Sequence, residues 1–164
     1  MSMTAHGITP CLWFDTQAEE AAKFYASVFK DAKIGKISRY GNEGVEVHGK
    51  QPGTVMTVAF EIAGQKFLAL NGGPHFKFTE AVSFQVFCET QDEIDHYWSK
   101  LSAGGQEGPC GWLKDKFGLS WQVVPTALID MLSQPVSGKT ERVTSAFMQM
   151  KKFDIEALKR VYAG

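Results

Sequence analysis

Thr9-Pro-Cys-Leu-Trp-Phe-Asp-Thr-Gln-Ala-Glu19 lies without gaps on Ser83-Phe-Gln-Val-Phe-Cys-Glu-Thr-Gln-Asp-Glu93, 74 residues further along the chain. Thr16/Thr90, Gln17/Gln91 and Glu19/Glu93 are identical, and Trp13/Phe87 and Asp15/Glu89 keep their character. In each copy an apolar run of strand length meets Thr-Gln-x-Glu. That tetrapeptide predicts a capping box, with the Thr hydroxyl accepting from the backbone N–H three residues on and the Glu reaching back to the cap. A strand ending at a helix N-cap, met twice in one register, predicts an internal duplication.

The flanking segments repeat the same order. After Thr16, Ala18, Ala21, Ala22, Tyr25, Val28 and Phe29 fall on one face of a helix. After Thr90, Ile94, Tyr97, Trp98 and Leu101 do the same, and Gly104-Gly105 stops them. Strands follow at 33–40, 54–63 and 65–72, with a tight hairpin at Ala63-Gly64. The second copy predicts a weak strand around 107–110 and two more at 112–116 and 119–124, joined at Phe117-Gly118. The expected fold class is α+β: two βαβββ modules, about 8–72 and 81–124, forming curved mixed sheets within a single domain. A tail, 126–164, adds three short helices punctuated by Pro125 and Pro135. Val143, Phe147 and Met150 form an apolar stripe there, suited to packing within the chain or across a dimer. Asp154 caps the last helix, with Ile155, Leu158, Val161 and Tyr162 on its buried side. Residues 41–53, with four glycines and a proline, predict a long mobile loop, either a lid or a tolerated insertion.

The 164 residues are 44% apolar, 12% aromatic and 21% charged. Seventeen Lys and Arg against eighteen Asp and Glu leave a net charge of −1, which removes the electrostatic argument for nucleic acid or an anionic membrane as partner. A chain of roughly 150 residues buries about 68–70% of its unfolded surface, so no disulfide or structural metal is needed to support the core. Neither half would bury enough alone, so a cleft between the halves is expected as a product of the duplication. Cys11, Cys88 and Cys110 are odd in number and widely spaced, without a CxxC pair. Cys11 and Cys88 sit in apolar runs and are expected as buried, reduced thiols. No apolar run reaches 18 residues, and Met1–His6 carries no secretory pattern, so a cytoplasmic protein is expected.

Two copies of βαβββ resemble the vicinal oxygen chelate superfamily, which includes glyoxalase I, extradiol dioxygenases and bleomycin-resistance proteins. More narrowly, the chain resembles the PhnB-like branch, labelled "3-demethylubiquinone-9 3-methyltransferase". The resemblance runs over nearly the whole chain. It is carried by Phe14-Asp15, Phe24-Tyr25, Val55-Met-Thr-Val-Ala-Phe60 with Gly64-Gln65, and Leu70-Asn-Gly-Gly-Pro74. Ser83-Phe84, Asp115-Lys-Phe-Gly118, Trp121-Gln122 and the tail Met148-Gln-Met-Lys-Lys-Phe-Asp-Ile155 complete it.

In metal-using members, four side chains on the first, fourth, fifth and eighth strands, mostly His and Glu, hold a divalent ion. The duplicated register puts Thr9 and Ser83 in the His-like places. Counting four on from each hairpin glycine puts Leu68 and Gln122 in the Glu-like places. None is a good ligand, and moving the register to Asn71 does not rescue the set. No metal and no other cofactor is therefore expected. Methyl transfer is not expected either, because Gly72-Gly73-Pro74 leads into Phe76-Lys-Phe78 rather than a helix.

Among the histidines, His6 and His48 are expected to be solvated and His96 to lie on an outer helix face. His75, at the mouth of the fourth strand, is the candidate general base, against the plainer role of capping a turn. If Thr9, Ser83 and Gln122 face inward, alternation turns Cys11, Trp13, Gln85, Phe87 and Ser120 the same way. The resulting expectation is a metal-free binding protein for a small organic molecule, acting as a homodimer. Trp13 and Phe87 would stack on the ligand; Asn71, Gln85 and Gln122 would hydrogen-bond it. The alternatives are a glyoxalase- or dioxygenase-type enzyme, using metal or His75, and a dimeric scaffold without ligand.

Overall fold

The computed structural model describes residues 5–164. Contacts divide the chain into two compact units, one ending at Lys77 and the other beginning at Phe78.

The first unit contains β1 (Cys11–Phe14), α1 (Ala18–Val28), β2 (Ala32–Arg39), α2 (Val45–His48), β3 (Val55–Ile62) and β4 (Gln65–Asn71). Its four strands form a mixed sheet in the order β1-β4-β3-β2, with β1 parallel to β4 and the other pairs antiparallel. Ala63 and Gly64 both have positive φ, 48° and 78°, so the β3–β4 hairpin closes on the two-residue turn that the sequence predicts. Leu12, Phe14, Val58, Phe60, Ile62, Phe67 and Ala69 alternate onto one buried face. The small Ala18, Ala21 and Ala22 of α1 are buried with them, and the Tyr25 ring stacks on Phe60 at 5.9 Å and Phe60 on Phe67 at 5.2 Å. Each such aromatic pair contributes about 0.5–1.5 kcal/mol beyond its buried area.

The second unit contains β5 (Ser83–Cys88), α3 (Gln91–Ser102), β6 (Gln106–Glu107), β7 (Trp112–Lys114), β8 (Ser120–Pro125), α4 (Thr126–Leu132), α5 (Gly138–Phe147) and α6 (Ile155–Ala163). Its sheet, β5-β8-β7-β6, has the same order and directions as the first. The register also repeats: Cys11 lies opposite Leu68, and their counterparts Gln85 and Gln122 lie opposite each other. Val86, Cys88, Leu113, Trp121 and Val123 bury their face with Ile94, Trp98 and Leu101 of α3.

The two caps differ. Thr90 forms the predicted capping box with Glu93, accepting from its N–H at 3.2 Å while the carboxylate accepts from the Thr90 N–H at 3.2 Å. Thr16 does not cap α1: the helix begins one residue later, at an N-cap Gln17 that makes no side-chain bond. Asn71, from the end of β4, takes over by accepting from the Ala18 N–H at 2.8 Å.

Other boundaries also depart from expectation. Residues 41–53 are not wholly irregular, because Val45–His48 form one helical turn between left-handed Gly44 and Gly49. The edge strand is only Gln106–Glu107; Cys110 and Gly111 pair instead with the tail, donating to Met150 and Lys151 carbonyls at 2.8 Å each. Asp115 arranges the β7–β8 turn. One carboxylate oxygen accepts from the N–H groups of Phe117 and Leu119 at 2.9 and 3.1 Å, and the other accepts from the Trp121 indole at 2.9 Å.

The three tail helices form as expected, and Asp154 caps α6 by accepting from the Ala157 N–H at 2.9 Å. Gln91 ties the tail to α3, donating to the Phe153 carbonyl at 3.0 Å and accepting from the Ile155 N–H at 2.9 Å. Among the described residues, no helix is long and apolar enough to cross a membrane.

Candidate functional site

Each sheet has one face covered by its helix and one open face. On the second sheet, alternation places Ser83, Gln85 and Phe87 of β5 beside Ser120, Gln122 and Val124 of β8 on the face away from α3, where Ser120 and Val124 are themselves buried. The amides are joined in a row. Gln85 Nε2 donates to Gln122 Oε1 at 3.4 Å, and Gln122 Nε2 donates to Ser83 Oγ at 2.8 Å. Phe87 is 55% exposed at the end of that row, a large ring left uncovered beside neutral hydrogen-bonding groups. The group therefore offers amides, a hydroxyl and an aromatic face, with no titratable side chain of its own.

The same sheet holds a pocket of about 440 Å³ toward its β6–β7 edge. Pro109, Trp112, Leu113, Gln106, Glu107, Lys114, Glu80 and Ser120 line it. Lys114 Nζ and a Glu80 carboxylate oxygen lie 2.6 Å apart, and this contact holds the Glu80 carboxyl below its usual range. The Glu80 end of the pair is open to solvent, which screens it, so the contact is easily exchanged.

Trp13, on the open face of β1, has its own local partners. Its indole donates to the Gly73 carbonyl at 2.9 Å, and its ring meets Phe76 edge-on at 4.9 Å. The ring also lies over Gly72, where an added Cβ would come within 2.2 Å of it. Asn71, expected among the ligand's hydrogen-bonding partners, has both ends of its amide engaged within the first unit. It is 4% exposed, its Oδ1 caps α1, and its Nδ2 donates to the Val55 carbonyl at 3.1 Å. Leu70-Asn-Gly-Gly-Pro74 is thus a packing motif: Asn for the cap, the first Gly for the indole. No helix follows it, so no strand-to-helix turn stands ready for a cofactor.

The superfamily's metal positions fit a divalent ion poorly. Ser83 and Gln122 come together, yet they hydrogen-bond each other through neutral groups. Thr9 and Leu68 border a pocket of about 400 Å³ in the first unit and supply one hydroxyl and no other donor. Among the described residues, no three His, Cys, Asp or Glu side chains are grouped to hold a metal.

His75 is exposed beside Gly73, and among the described residues no carboxylate is paired with it. His6 is exposed, as expected. His48 is not simply solvated: its Nδ1 accepts from the Lys50 N–H at 2.9 Å and its ring packs 4.5 Å from Tyr40. Cys88 is a buried thiol pushed up to about 12, first by burial and then by the Glu93 charge. Cys11 is a correction, because it faces the open side of β1 and is exposed; partial desolvation still raises its thiol.

Sequence reasoning turned Ser120 inward but missed Trp112, Lys114 and Glu80. The period-two alternation through 112–116 carried the signal for the first two. Glu80 precedes its strand and has no such signal.

The family described as 3-demethylubiquinone-9 3-methyltransferase matches residues 6–124. A putative 3-demethylubiquinone-9 3-methyltransferase, PhnB protein, from Bacillus cereus is 38% identical; the match covers 72% of this chain and 98% of that one, with a TM-score of 0.62. Protein PA1353 from Pseudomonas aeruginosa is 17% identical over 74% of this chain and 98% of its own, with a TM-score of 0.59. The fosfomycin resistance protein FosX from Mesorhizobium loti is 13% identical over 80% and 100%, with a TM-score of 0.52, a likeness of fold. No curated protein matches the chain.

Proposed function

The chain belongs to the 3-demethylubiquinone-9 3-methyltransferase (PhnB-like) family of the vicinal oxygen chelate superfamily, and from that premise we propose that it binds a small organic molecule without a metal. The observation that carries this reading is the Ser83–Gln122–Gln85 row on the open face of the second sheet. The Ser83 hydroxyl and the Gln122 amide stand where the resemblance places His and Glu in metal-using members. Such groups orient a polar ligand by hydrogen bonds, and Phe87 adds an aromatic surface. Trp13 with Phe76 forms a second aromatic surface on the first unit. Neither a methyl donor's binding turn nor an oriented general base supports a transferase or His75-dependent reading.

Self-association into a homodimer belongs to the same proposal, supported by Ile129, Leu132, Val136 and Met148, which stay exposed on the helical tail. Three free cysteines agree with a reducing, cytoplasmic setting.

A thermal-shift screen of small metabolites tests the binding reading. A ligand at 100 times its Kd stabilises by about 2.7 kcal/mol, and the shift is expected to vanish in Gln122→Leu. Elemental analysis of untagged protein runs beside it. A stoichiometric divalent ion would sink the metal-free reading, and hits indifferent to Gln122 would move the site elsewhere.

A further inference from the structure

The duplicated register offers an internal comparison. Glu61 lies opposite Lys66 on the first sheet as Lys114 lies opposite Ser120 on the second, and each unit has a pocket at that place. In the first unit Glu61 pairs with Lys33 at 3.6 Å, both on the sheet itself. In the second, the Lys33 position is Gln106 and the Lys66 position is Ser120. Lys114 then finds its carboxylate off the sheet, on Glu80, whose side chain is 63% exposed.

Two further donors line this pocket. Ser120 is 1% exposed, and its Oγ is the buried side-chain polar atom left without a hydrogen-bond partner among the described residues. A buried hydroxyl without a protein partner is disfavoured, which leaves Ser120 Oγ free to hydrogen-bond a group that enters the pocket. The indole N–H groups of Trp13, Trp98 and Trp121 donate to Gly73, Glu107 and Asp115. Among the described residues, the Trp112 indole, which lines the pocket, has no such acceptor. Lys114 and Ser120 face each other across β7–β8, which puts their Cβ atoms roughly 5 Å apart.

We propose that this pocket takes the carboxylate of a small amphipathic monocarboxylic acid, which displaces Glu80 from Lys114 and accepts from Ser120, with its apolar body on Trp112 and Pro109. A carboxylate is acceptor-only, matching the Lys114 and Ser120 donors. A dianion is disfavoured because the Glu107 carboxylate also borders the pocket. The proposal rests on the small-molecule reading above and names the ligand's class.

Titration of 15N-labelled protein with benzoate, benzamide and benzyl alcohol at constant ionic strength tests it, read at the Trp112 indole resonance assigned with Trp112→Phe. Benzoate is expected to give a saturable shift there, with benzamide and benzyl alcohol at least about tenfold weaker. Glu80→Gln should tighten benzoate by removing the internal competitor. Lys114→Met should abolish the preference for benzoate over benzamide. Ser120→Ala should weaken benzoate by about tenfold without lowering the melting temperature. Equal affinity for benzoate and benzamide overturns the proposal, as does a benzoate response that leaves Trp112 unmoved or is absent up to the solubility limit. Neutral ligands that depend on Gln122 would leave the broader reading standing through any of those results.

Discussion

Asp115 and Asn71 show how one polar side chain can settle a local structure that its neighbours leave open. Asp115 is 2% exposed, yet its carboxylate answers three donors: two turn N–H groups and the Trp121 indole. Asp115→Asn keeps the shape but has one acceptor oxygen, so an amide N–H must face either the turn or the indole. The expected loss is about 2–3 kcal/mol in urea unfolding, from a buried donor facing a donor. A loss below about 0.5 kcal/mol would show that the turn does not depend on the second oxygen. Asp115 was visible in the sequence as part of Asp-Lys-Phe-Gly, but its partners were not. Trp121 is six residues away, and their contact needs the hairpin to exist. Asn71 is the stronger case, because its cap partner is 53 residues away.

At the scale of the element, two nearly identical Thr-Gln-x-Glu segments have different fates. α3 is capped from within its own sequence, while α1 is capped by β4 across the sheet. A local hydrogen bond and a long-range one compete for the same N–H groups, and Asn71 wins at the first helix. Thr90→Ala should therefore cost about 1 kcal/mol, and Thr16→Ala should stay within about 0.5 kcal/mol of wild type. Equal losses in chemical denaturation would show that Thr16 caps α1 in solution. Strands, helices and hairpin turns were legible because periodicity and glycine placement act over a few residues. The short β6 and the pairing of Cys110 and Gly111 with Met150 and Lys151 were not, since the partner backbone is an irregular stretch of the tail.

At the scale of the whole molecule, the duplication produced two sheets of the same order, and the tail distinguishes them. Phe153 is 2% exposed and sits where a Cβ on Gly111 would come within 2.4 Å of its ring, so the tail is seated in the second unit by shape as well as by Gln91. Its other side leaves Leu132, Val136 and Met148 exposed around a groove of about 360 Å³. Light scattering is expected to give the mass of two chains, and Leu132→Asp with Met148→Asp to give one; a monomeric wild type would remove the dimer from the proposal. By itself the sequence determined the fold class and the alternation that puts Gln85, Phe87, Ser120 and Gln122 on one side of their strands. Those follow from alternation, amphipathic spacing and turn chemistry, which are properties of neighbours in the chain. Only the tertiary structure decided that Asn71 and Gly72 serve packing, that Cys11 is exposed, and that Ser120, Lys114 and Glu80 share a pocket. These depend on which strands lie side by side, and a side chain's partners are set by that pairing rather than by its place in the sequence.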